Sequence, residues 1–144
     1  MSEESDYDAD ILTWSERQAE LLRRLAAGEA LEESPDWPNI VEEIESVGRS
    51  DLHAVESYLA LSLLHRLKIK GWPDSVAVPH WRSEMRRFQD EAQSRFTPSM
   101  QGRLDLARIW RRGRRAVPDT IAGQPPQPLP DECNVTLDQL LTED

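Results

Sequence analysis

Glu42, Glu43, Glu45, Glu56 and His65 are residue types from which helical proteins build metal centres. Inward carboxylates joined to a histidine by a Glu-x-x-His step hold di-metal sites in bundles. Here that step is missing, because Ser62 stands three residues before His65. At about 100° per residue, Glu45 and Glu56 also project away from the stripe that carries His65. Glu45, Glu56 and His65 therefore stand as metal candidates without the spacing that would make a site. The plainer expectation is a solvated acidic face for residues 42–45, favoured near a helix N-terminus by the macrodipole. His65, beside Tyr58 and Ser62, reads as a core histidine held by one or two hydrogen bonds.

Two other kinds of chemistry are testable by eye. Cys133 follows Asp131 and Glu132, a setting that does not favour a nucleophilic thiolate, so a small packing residue is expected. No glycine-rich phosphate loop, zinc-ligand spacing or nucleophile elbow occurs. Arg103, Arg108, Arg111, Arg112, Arg114 and Arg115 surround Trp110, and arginines with an aromatic can grip phosphates and stack on bases. The net charge of -10 and the acidic tail beyond them oppose nucleic acid as partner. An acidic strap lying on this basic helix is expected instead. The sequence thus assigns no catalytic, cofactor-binding or metal residue and no cofactor, and points away from an enzyme.

The elements that must position these residues are all helical. Residues 36–69 form the longest periodic segment, with Asn39 as expected N-cap and Pro38 fixing the entry. Ile40, Ile44, Val47, Val55, Tyr58, Ser62, His65 and Ile69 recur at three- and four-residue steps as its buried stripe. Residues 59–67 are apolar all round and should be enclosed, and Gly48 is the one place for a bend. Before it, residues 1–9 should fray. A first helix starts near Asp10, capped by Thr13 with Glu16 or Ser15 with Gln18, and stops at Gly28. Trp37 should anchor the turn between the two.

A third helix is expected over residues 79–96, with Trp81, Met85, Phe88, Ala92 and Phe96 inward. Thr97 and Pro98 should cap and open a fourth, ending near Ala116. Prolines make residues 118–131 an extended strap, and Thr136 with Gln139 signals a short last helix. The expectation is a single all-α domain over residues 1–144, an up-and-down bundle of about four helices with a C-terminal strap folded back over it.

Charge is segregated along the chain. Residues 1–64 hold 16 acidic and 4 basic residues, residues 65–117 hold 5 and 13, and residues 118–144 hold 6 and none. Acidic and basic helices facing each other within the monomer is one consequence; one acidic and one basic face offered to different partners is the other. A single cysteine suits a reducing compartment, the acidic start lacks a signal-peptide core, and no apolar run approaches a membrane span. Those features predict a cytoplasmic protein.

Four stretches in this order, Tyr7 to Arg23 (YDADILTWSERQAELLR), Asp36 to Ser50 (DWPNIVEEIESVGRS), Glu56 to Lys68 (ESYLALSLLHRLK) and Leu129 to Leu141 (LPDECNVTLDQLL), resemble the bacterial domain-of-unknown-function family 29. Trp81 and the Thr97-Pro98-Ser99-Met100 break match that family as well. Arg66, the IKGWPD segment and Asn134-Val135 depart from its usual pattern. The resemblance implies an all-helical bundle and carries over no activity, substrate or cofactor.

Function is therefore expected from surfaces. The leading expectation is a non-enzymatic interaction or regulatory protein, such as an acidic antitoxin or inhibitor of a basic partner. Glu42, Glu45, Arg49, Glu56, Arg108, Arg111, Arg112 and Arg115 are its expected contact residues. A homo-oligomer is compatible with the same faces. The alternatives are a metal-dependent bundle enzyme using His65 with carboxylates, and nucleic-acid binding through the arginine-rich helix.

Overall fold

The computed structural model describes residues 6–142. Among them the chain is all-α, with helices α1 (Asp6–Ala9), α2 (Ile11–Ala26), α3 (Trp37–Gly71), α4 (Val78–Arg95), α5 (Leu106–Ala116) and α6 (Leu137–Thr142). A 3₁₀ turn, Pro98–Met100, precedes α5. Contacts divide the chain into two compact units, Met1–Arg49 and Ser50–Asp144, and the boundary falls inside α3.

In the first unit, α2 begins on Asp10, whose carboxylate accepts from the Thr13 amide at 3.1 Å and the Thr13 hydroxyl at 2.7 Å. An aspartate one residue before the helix outcompetes both expected capping boxes, and Gln18 is buried instead, accepting from the Asp36 amide at 2.7 Å. α2 stops as expected at Gly28, whose φ of 85° lets the Glu29 amide reach back to the Arg24 carbonyl. The expectation that residues 1–9 fray lies outside the described residues for the first five. Residues 6–9 are helical, and the Tyr7 hydroxyl donates to Glu43 at 2.7 Å. That bond pushes the Tyr7 phenol up to about 12.

α3 starts earlier than expected. Asp36, not Asn39, stands before its first turn, and its carboxylate accepts from the Trp14 indole and the Asn39 amide side chain at 2.9 and 2.8 Å. Pro38 falls in the first turn, where its missing N–H has no partner to lose. Trp14, Leu21 and Ile40 are buried around this hairpin. Ile44 and Val47 are not: they are 69% and 68% exposed, a correction to the expected stripe.

The second unit is built on the remainder of α3. Val55, Leu59, Leu63 and Leu67 form a core with Ala92 of α4, Ile109 and Trp110 of α5, and Leu140 and Leu141 of α6. Leu61, on the expected enclosed stretch, stays partly open. Trp81, Met85, Phe88 and Ala92 give α4 the inward stripe its spacing implies. The fourth long helix ends at Ala116 as expected, and its start is a correction. Thr97 and Pro98 open only the 3₁₀ turn, and α5 starts afresh at Leu106, capped by Asp105 accepting from the Arg108 amide at 3.1 Å.

The strap folds back within this unit. The Gln127 amide donates to the Gly71 carbonyl at 2.8 Å, and the Trp72 indole donates to the Gln124 carbonyl at 2.9 Å. α6 carries the reciprocal capping box expected of Thr136 and Gln139, with bonds of 2.9 and 3.1 Å.

Candidate functional site

The metal candidates are held apart. Both Glu56 carboxylate oxygens accept from Arg108, at 2.6 and 2.8 Å, and the Glu56 side chain is 4% exposed. Glu56 is therefore not on the open acidic face where its helical count placed it; it faces α5 and neutralises an arginine there. His65 lies nine residues further along α3, about 13 Å at 1.5 Å per residue, too far to share an ion with Glu56. Glu45 lies on the exposed side and pairs with Arg49 at 3.6 Å.

His65 is half-buried, at the edge of the core rather than within it as expected. Its Nδ1–H donates to the Leu61 carbonyl at 2.8 Å, and its ring lies 5.5 Å from Phe88. Burial holds the imidazole below its ordinary 6.5, outweighing the Leu61 carbonyl, which favours the charged ring. The unfolded chain therefore binds this proton first. The histidine's contribution is complete above 6.5 and is lost as pH falls through 6.5 toward the folded value. Urea midpoints are expected to fall between pH 8 and pH 5, and His65→Gln to flatten the upper part of that decline.

Arg49 bridges Glu42 at 2.6 Å and Glu45, all three residues exposed. Each of the other arginines in the first unit is also taken: Arg17 by Glu33, Arg23 by Glu20 and Arg24 by Glu29. Residues 1–49 hold 14 acidic and 4 basic residues, whereas residues 50–144 hold 13 of each. The whole net charge of -10 thus belongs to the first unit, and the second is neutral. The folded division redraws the segregation expected along the sequence, because acidic residues of α3, α4 and the tail offset the arginines of α4 and α5 within one unit.

On α5, Arg108 is held by Glu56 and Arg112 donates to the Ser57 hydroxyl at 3.3 Å. Arg111 and Arg115 line a groove of about 390 Å³ with Asp119 and Asp131, and Arg114 donates to the Pro130 carbonyl at 3.3 Å. The strap thus meets the basic helix through a backbone carbonyl. Trp110 is buried in the core and is not placed to stack on a base. Cys133 is exposed, a correction to the expected packing role, with its thiol 3.4 Å from the Val135 carbonyl.

Two features escaped the sequence. One is a groove of about 410 Å³ between Trp72, Asp74 and Val76 on one side and Ile121, Gln124 and Pro125 of the strap on the other. Nothing local signals it, since the strap arrives from about 50 residues away. The other is the open apolar line of α3: Trp37 and Val41, each 49% exposed, with Ile44 and Val47. Trp37 does not anchor the turn as expected. No helix among the described residues is long and apolar enough to cross a membrane.

Fold and surface together define an all-helical protein whose only strong net charge lies on its first compact unit. The chain belongs to the family described as domain of unknown function DUF29, whose model matches residues 7–144. It is similar to an α-helical protein of unknown function from Rhodospirillum rubrum, with 28% identity and a TM-score of 0.64 over 99% of this chain and 92% of that one. No curated protein matches it.

Proposed function

We propose that this is a non-enzymatic interaction module whose acidic first unit binds a basic partner protein. The observation that carries the reading is that all four arginines of that unit are already paired inside it while an excess of ten carboxylates remains. Such an excess strains the unit by self-repulsion and is relieved by an opposite surface. An antitoxin or inhibitor that masks a basic protein in the cytoplasm is the concrete form. Affinity purification from the native cell is expected to recover a basic protein at low salt. Raising ionic strength several-fold should release it as the Debye length shrinks, and Glu42→Lys with Glu45→Lys should abolish recovery. Recovery of the chain alone, or a partner indifferent to salt and to both reversals, overturns the proposal.

A further inference from the structure

We infer that Trp37, Val41, Ile44 and Val47 on α3 form the docking stripe for an amphipathic helix of that basic partner, an inference that rests on the reading above. The four residues fall within about 120° of the helix circumference at 100° per residue. Trp37, Val41 and Ile44 hold the middle of that arc; Val47 marks one edge, where the buried Ile40 and, beyond it, Glu43 turn toward the hairpin and Tyr7, and Glu45 and Glu42 line the other edge. Scattered apolar residues on a surface need no explanation, but a contiguous line of this kind with a charged edge is how a helix receives another helix.

Gly48 continues the line. A Cβ placed on it would meet nothing within 4 Å, so no packing inside the described chain requires glycine there. A residue that weakens a helix, bare on its open apolar side, lets a second backbone come close.

Charge selects the occupant. The stripe lies on the unit that holds the whole net charge of -10, so the same unit of a second copy, or an anionic membrane, would meet like charge. A helix with lysine or arginine beside its apolar face instead places cations against Glu42 and Glu45. Both carboxylates are exposed and, among the described residues, share the one guanidinium of Arg49.

The test uses the full chain, calorimetric titration and two synthetic peptides. One is a leucine–lysine peptide of about 18 residues with leucines at helical three- and four-residue spacing; the other has the same composition scrambled. The patterned peptide is expected to bind about tenfold more tightly, and Ile44→Ser with Val47→Ser to remove that advantage while leaving the scrambled peptide unchanged. Both side chains are exposed, so the melting curve of the variant should match the parent. Equal binding of the two peptides, unmoved by the serines, overturns the stripe and leaves the acidic reading standing. Binding of neither overturns both. A peptide-free dimer that the serines dissolve, or phosphatidylcholine vesicle binding that they abolish, gives the stripe to another occupant and overturns the inference.

Discussion

Gly113→Ala is expected to destabilise the protein, although alanine is the better helix former. Gly113 sits in the middle of α5, pressed against the second-unit part of α3. An added Cβ would lie 2.7 Å from Cδ2 of Leu63, 2.9 Å from its Cγ and 3.0 Å from the Ala60 carbonyl oxygen. Leu63 is fully buried and cannot swing aside, so the helices must separate. Overpacking of this kind costs about 1–3 kcal/mol, against a gain of up to about 1 kcal/mol in helix propensity. The steric cost outweighs the propensity gain, and the urea midpoint should fall. Gly48→Ala makes the same exchange in open space and should raise the midpoint, by up to about 1 kcal/mol in stability. The same substitution in two helices thus carries opposite signs. A midpoint moving the same way for both would show that propensity alone decides.

Arg108→Met is expected to damage the fold more than Glu56→Met. The pair is lopsided, with the Glu56 side chain 4% exposed and that of Arg108 48% exposed. Removing the arginine leaves a carboxylate enclosed without a donor, which carries its full desolvation penalty. Removing the glutamate frees a guanidinium that can turn into water. The melting temperature should drop by several degrees for Arg108→Met and by less for Glu56→Met. The double variant should recover part of the loss, since two apolar side chains replace both halves of the pair together. Equal losses that simply add would mean that the ion pair contributes no coupling.

Local rules were legible wherever both partners lie within a turn. The Thr136–Gln139 capping box and the stop at Gly28 formed as the sequence indicates, because each depends on residues a few positions away. The stripe of α4 was equally legible, since Trp81, Met85, Phe88 and Ala92 all find cover. The apolar period of α3 runs further than its covered core. Periodicity says which residues share a face and is silent on whether a neighbour covers it, so Ile44 and Val47 looked identical in kind to Val55. The inward position of Glu56 is hidden for a related reason, its partner being 52 residues away. Pro98 suits the start of an α-helix and of a 3₁₀ turn alike, and Asp105 settled the matter further on. The neutrality of the second unit was hidden because the boundary falls inside a helix, where composition gives no mark.

The placement of the indoles has a practical consequence. Of the five tryptophans, Trp14, Trp72, Trp81 and Trp110 are buried, and Trp37 alone is half open. Native fluorescence should therefore have a shielded, short-wavelength majority and a single quenchable minority at the head of α3. The acidic charge of the first unit should repel iodide and draw in caesium, so the ratio of the two quenching constants reads the local field without any label. A change in that ratio on mixing with a cell extract would report occupancy at one known address.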